Sequence, residues 1–96
     1  MRFELEFDEG NRNKLSKHGL SAADIERFFK NNPVYANDDS HSSEEQRYIA
    51  FGSLDSRFVF VAFTVRANNG RLLIRPISAR YARPKEIRKL YEKTFK

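Results

Sequence analysis

The sequence predicts an α+β domain: an antiparallel sheet made mainly from residues 46–80, packed with two N-terminal helices and with a C-terminal helix alongside. Three observations predict it. An alternating strand pattern is followed by two short helical patterns and then by three uninterrupted strand patterns. Asn69-Gly70, between the last two strand patterns, is the strongest short hairpin signal a sequence can carry. Pro84 stands at the first position of a closing helix, where the N–H it lacks would have no helical partner anyway.

Each element has its own local reason. Arg2 to Phe7 sets Phe3, Leu5 and Phe7 against Arg2, Glu4 and Glu6, the pattern of a strand with one face buried. Asp8 suits a helix N-cap and Glu9 its first turn, where the dipole favours an acid. That helix runs to about His18 and stops at Gly19, with Leu15 and His18 on one face. Ser21 caps a second helix. Asp24 sits three residues on, in a capping box, and Leu20 and Ile25 are placed as a hydrophobic staple. Ile25, Phe28 and Phe29 make its apolar stripe, and Asn31-Asn32-Pro33 ends it. Val34 to Ala36 reads as a short strand, and 37–45 as a polar loop. Strands follow over 46–52, 57–66 and 71–80, the first two joined by a turn at Leu54-Asp55-Ser56. Pro76 lies inside the third strand, which makes that strand an edge there or gives it a bulge. In the last helix Ile87, Leu90 and Tyr91 form an apolar face, and Lys85, Arg88, Lys89 and Lys93 a basic one.

Ninety-six residues make a single domain, 1–96, and a chain of this size buries roughly 60–68% of its unfolded surface. Nine Phe and four Tyr supply much of the core. With no Cys there is no disulfide framework and no thiolate zinc site, which fits a reducing cytoplasm. The first residues have no apolar signal region, and no run approaches the roughly 20 apolar residues of a membrane span. The expected location is therefore the cytoplasm, away from membranes.

Charge is divided between the halves. Residues 1–45 carry 6 Lys+Arg against 10 Asp+Glu, whereas residues 46–96 carry 12 against 3. A half so basic repels itself, and reads as a surface for a polyanion. Side chains alternate across a strand, so Val59, Val61, Phe63 and Val65 share one face, and Phe58, Phe60, Ala62, Thr64 and Arg66 the other. With two-residue turns at both hairpins, Arg47 and Arg75 flank Thr64. Longer loops would shift the pairing by two and keep the faces. Arg47, Arg66 and Arg75 then converge at one end of a face whose remainder, Ile49, Phe51, Phe58, Phe60 and Ile77, is apolar. Like charges on adjacent strands need an anion or carboxylates among them. Guanidinium forks suit a phosphodiester, and they suit acidic side chains of the N-terminal half equally. Arg80 has the opposite parity, and a bulge at Pro76 would bring it round to the same face.

Two histidines are available for proton transfer. His18, in the last turn of the first helix, sits where the dipole favours the imidazolium; there it either serves chemistry or simply closes the helix against Gly19. His41 lies in the polar loop with Ser42, Glu44 and Glu45. Neither belongs to a metal-ligand spacing, there is no glycine-rich phosphate loop, and Ser42 has no nucleophile elbow. No metal and no cofactor are expected.

Taken in order, Phe7-Asp8-Glu9, Asn13, Lys17-His18-Gly19, Phe28 to Pro33, Asp38 with His41-Ser42, Glu45 and Arg47, Gly52, Thr64-Val65-Arg66, Ile77-Ser78-Ala79-Arg80, Ala82, Glu86 and Tyr91-Glu92 resemble the BrnT family of type II toxins, small ribonucleases with a RelE-like fold. Two positions depart from the family pattern. Pro76 stands where many members have an aliphatic residue, and Glu86 and Tyr91 are five apart rather than four, which turns Tyr91 around the helix axis. The resemblance implies an endoribonuclease that needs no metal and halts translation. A base draws the proton from a ribose 2′-OH, cations stabilise the charge on the attacked phosphate, and an acid protonates the leaving oxygen. On that reading Arg47, Arg66 and Arg80 stabilise phosphate, and Lys17, His18, His41 and Glu45 are the candidates for proton transfer. Arg75, Lys85, Arg88 and Lys89 bind RNA. The implied partner is an antitoxin of the BrnA type with a ribbon-helix-helix DNA-binding domain. Together they would form a heterotetramer that represses its own operon, so that operator DNA is met only through the antitoxin. The alternative is a non-catalytic nucleic-acid- or partner-binding module with a basic sheet face, although no aromatic-rich RNA-recognition motif or zinc finger is visible.

Overall fold

In a computed structural model, which describes residues 4–7, 9–38 and 46–95, the elements follow the order β1 (Glu4–Leu5), α1 (Glu9–Ser16), α2 (Ala22–Lys30), β2 (Val34–Asn37), β3 (Arg47–Leu54), β4 (Arg57–Asn68), β5 (Arg71–Tyr81) and α3 (Pro84–Phe95). The expected N-cap at Asp8 lies outside the described residues. Among the described residues no helix is long and apolar enough to cross a membrane.

The strands form one five-stranded sheet in the order β1-β5-β4-β3-β2. Its centre is the expected antiparallel meander, with Arg47 opposite Thr64 and Thr64 opposite Arg75. The expectation of a wholly antiparallel sheet is corrected: β1 joins β5 in parallel, Glu4 against Leu73 and Leu5 against Ile74, and the sheet is mixed. Alternation of apolar residues marks a strand but carries no information on the direction of its partner. At the other edge β2 pairs antiparallel with β3 and extends to Asn37, one residue beyond the expected end.

Both hairpin turns take the tight form. Asn69 and Gly70 have φ of 52° and 77°, the left-handed pair that matches the twist of the flanking strands, and Asp55 has φ of 57°. Beyond Phe63 the β4–β5 register slips. Phe63 lies opposite Pro76, but Ala62 lies opposite Ser78, so Ile77 is an extra residue in β5. The described β1 pairing with β5 is at Leu73 and Ile74, short of Pro76, and the bulge beside Pro76 is how the β4–β5 ladder accommodates it.

Two helices lie on the sheet, α1 against β5 and α2 against β3. The last helix does not repeat this arrangement; α3 is tied to β5 at its first turn, where Glu86 meets Arg80. α1 ends at Ser16, earlier than expected; the Ser16 hydroxyl donates to the Asn13 carbonyl at 3.0 Å, and Lys17 to Gly19 form a turn with Gly19 at φ 78°. α2 starts with the complete capping box: the Asp24 N–H donates to the Ser21 hydroxyl at 3.1 Å and the Ser21 N–H to the Asp24 carboxylate at 3.0 Å. Ile25, Phe28 and Phe29 are buried as the stripe requires. With Leu15, Leu20, Ala50, Val59, Val61, Phe63, Ile74 and Ala79 they form the core. Phe63 is its aromatic centre, edge-on to Phe29 at 5.5 Å and stacked on Tyr48 at 5.6 Å.

Pro33, just past α2, packs tightly against β3 at Gly52. A Cβ there would stand 3.0 Å from the Pro33 Cβ and 3.2 Å from its Cα. Both belong to a buried proline that cannot rotate away. Gly52→Ala is expected to destabilise the fold by about 1–3 kcal/mol, as overpacking does. Urea unfolding of the two proteins checks this, and a variant as stable as the parent would show that Pro33 yields.

Candidate functional site

The bulge at Ile77 sets the geometry of the site. Beyond it Ser78 faces Ala62 and Arg80 faces Phe60, so Arg80 reaches the face that carries Arg47. On that face lies a cleft of about 410 Å³, lined by His18, Asp38, Arg47, Ile49, Phe60, Ala62, Ser78, Ala79, Arg80 and Glu86. β3 and β4 supply its floor, β5 Arg80, the turn after α1 His18, and the first turn of α3 Glu86. Asp38 is buried just past the end of β2, its N–H donating to the Arg47 carbonyl at 2.9 Å.

Arg80 is held as a fork. Its two terminal nitrogens donate to the two Glu86 carboxylate oxygens at 2.7 and 2.6 Å, and its guanidinium carbon stands 5.0 Å from the centre of the Phe60 ring. Glu86 is at the third position of α3 and also accepts the Arg83 N–H at 2.9 Å, which caps the helix start. Arg80 first, and that N–H second, hold the Glu86 carboxyl at about 2, far below its ordinary value. The same pair raises the Arg80 pKa. At neutral pH Glu86 is therefore a fixed anion that aims Arg80, and is poorly suited to take up a proton.

The remaining sequence candidates are distributed as follows. His18 and Arg47 line the cleft. Lys17 is exposed on the turn beside His18, outside the cleft lining. Arg66 is exposed at the end of β4 where it faces Leu73, two residues past Thr64 on the cleft face. Arg75 pairs with Glu6 of the segment after β1 at 3.0 Å, and Arg71 with Glu4 at 3.4 Å, so here the acidic N-terminal half does neutralise basic strand residues. Lys85, Arg88 and Lys89 lie on α3, all three at exposed positions. His41 and Glu45 lie outside the described residues. Among the described residues no three His, Asp or Glu side chains gather as a metal site.

Sequence reasoning did not single out Glu86, Asp38 or Phe60 as site residues. Both Asp38 and Glu86 stood among the residues that carry the family resemblance, with no site role attached. Glu86 carried a further readable signal, its place three residues after Arg83 and two after Pro84, the position from which a carboxylate reaches back over a helix start.

The shift of Glu86 makes a prediction about acid stability. With its folded pKa lowered, its contribution is complete above its unfolded value of 4.5 and is lost as pH falls through about 2. The pair is partly exposed, 43% for Arg80 and 30% for Glu86, so water screens it. Glu86→Gln is expected to cost about 1 kcal/mol at pH 7 and almost nothing near pH 2. Urea midpoints measured from pH 7 to pH 2 check this; a constant difference across the range would mean that Glu86 is not held low.

Comparison with individually curated proteins finds no match. The sequence model of a family described as "Ribonuclease toxin, BrnT, of type II toxin-antitoxin system" matches residues 7–86. The matched span includes His18, Asp38, Arg47, Arg80 and Glu86, which surround the cleft. With so much of its length matched, the chain belongs to the BrnT family, the ribonuclease toxins of type II toxin–antitoxin systems.

Proposed function

We propose that the chain is a metal-independent endoribonuclease of RelE-like fold that cuts RNA by attack of a ribose 2′-OH on the adjacent phosphate and so inhibits translation. One observation carries the reading: two arginines, Arg47 and Arg80, share a single cleft with a histidine, His18. In-line attack by a 2′-OH asks for cationic stabilisation of the phosphorane-like charge and for a group that moves a proton. Arg80, already aimed by Glu86, and Arg47 serve the first need. His18 serves the second, with Lys17, His41 and Glu45 as further candidates. Arg66 and Arg75, at the rim beyond Thr64, and Lys85, Arg88 and Lys89 on α3 bind the phosphates on either side. DNA, without the 2′-OH, is not cut.

The partner in this reading is a BrnA-type ribbon-helix-helix antitoxin in a heterotetramer, which meets operator DNA through the antitoxin alone, in the cytoplasm. A basic surface with carboxylates already among its arginines suits an acidic partner segment, which screens the same charges that meet RNA.

Labelled RNA incubated in a chelator separates a nuclease from a binder. Cleavage with 2′,3′-cyclic phosphate ends is expected, whereas intact but retarded RNA would leave only the binding module. Arg80→Ala and Arg47→Ala are each expected to slow cleavage about a hundred- to a thousandfold while costing about 1 kcal/mol of stability. His18→Ala is expected to slow it by about two to four orders of magnitude. Normal cleavage by folded Arg80→Ala protein would move the site elsewhere. The α3 cations have a different signature. Replacing Lys85, Arg88 and Lys89 with Ala should lower the salt slope of RNA binding by about 0.7 for each phosphate that these side chains neutralise. An unchanged slope would remove α3 from the interface.

A further inference from the structure

Beyond the cleft the same sheet face continues as an aromatic surface. Phe60, at the cleft's edge, lies opposite Phe51, with ring centres 4.9 Å apart. Phe51 in turn stacks on Phe58, 5.3 Å between centres and 8° between planes. Phe58 is 39% exposed, an unusual place for a phenylalanine whose neighbours on the opposite face, Val59 and Val61, are fully buried. At roughly 3.3 Å per residue, Phe58 stands about 7 Å along β4 from Phe60, beside which Arg80 is held. Parallel rings next to a guanidinium form the combination on which nucleic-acid bases stack while their phosphates are held by charge.

We propose that Phe58 and Phe51 form a stacking subsite for an unpaired nucleobase adjoining the phosphate at Arg80, so that the protein selects single-stranded RNA. This rests on the ribonuclease reading of the cleft and goes beyond it by naming the strandedness of the substrate and the residues that read it. A base in a duplex already stacks on its neighbours and cannot lie on the Phe58 ring without being unstacked. Every base has a π-face, so the subsite is tolerant of sequence. The Arg80 guanidinium over Phe60, and the continuity of the aromatic row with it, argue for a nucleotide here rather than a protein surface.

The probe is a 2′-O-methyl oligoribonucleotide containing 2-aminopurine, which cannot be cut because it lacks the attacking hydroxyl. The parent protein is expected to quench 2-aminopurine fluorescence and to bind the single strand more tightly than the same strand in a duplex. Phe58→Ala should weaken binding of the single strand on the order of ten- to a hundredfold and abolish most of the quenching. Phe58→Tyr, which keeps the ring, should restore both, and thermal unfolding confirms that each variant is folded. With cleavable RNA, Phe58→Ala should raise KM more than it lowers kcat. Parent protein that cleaves RNA, with Phe58→Ala binding the probe as tightly as the parent, overturns the subsite and leaves the nuclease reading intact. Parent protein that binds the probe through Phe58 but cuts no RNA overturns the nuclease reading and leaves the subsite. Equal affinity for strand and duplex overturns the proposal. So does a Phe58→Ala variant that binds the probe normally but loses self-association in sedimentation, which would make this face a contact between copies.

Discussion

The single extra residue in β5 is the feature on which the site depends. Pro76 cannot donate to the ladder, and the register slips beside it, leaving Ile77 without an opposite residue in β4. A strand has a period of two, so one inserted residue exchanges the faces of everything that follows. Without it Arg80 would lie on the face of Val59 and Val61, in the core. With it Arg80 faces Phe60, on the face that carries Arg47, and Ala79 takes the buried position. Bulges are common next to functional sites for this reason: they re-aim the side chains that follow while the pairing of the strands continues.

How far the sequence could be read follows from the same constraint. The faces of β3 and β4 were legible because strict alternation fixes them whatever the loop length, whereas the alignment of Arg47, Thr64 and Arg75 followed only on two-residue turns, the form both hairpins take. Pro76 announced an edge or a bulge, and the bulge lies beside it. The strand that joins β5 at Leu73 and Ile74 is β1, from the far end of the chain, and its parallel direction is not written in its alternation. The site was therefore half legible. Arg47 and His18 could be chosen from the chain, and Arg80 only conditionally. Glu86 comes to the cleft from a helix whose placement no local pattern specified.

The charge division has a structural side as well. Acidic and basic strands are neighbours: Glu4 meets Arg71, and Glu6 meets Arg75, along the β1–β5 pair. Part of the basic excess is thus consumed inside the fold, in the exposed Arg71–Glu4 pair, which contributes little, and the half-buried Arg75–Glu6 pair. The cleft is balanced too, two arginines sharing it with Asp38 and Glu86. Local balance explains how a domain with net charge +5 stays compact. It also means that the cleft arginines already have carboxylates beside them.

Glu86 joins two tasks that are usually separate. One of its oxygens caps the start of α3 through the Arg83 N–H, and both hold Arg80. Pro84 fixes the backbone between Arg83 and the helix, so the carboxylate arrives at Arg80 from a rigid turn and not from a loop. The helix start and the arginine are then one mechanical unit. Whatever tilts the first turn of α3 also moves the Arg80 fork, and whatever draws Arg80 away from Glu86 loosens the hold of that carboxylate on the helix start. The position of α3 and the aim of Arg80 are thus coupled through a single carboxylate at the end of the sheet, and not at its centre.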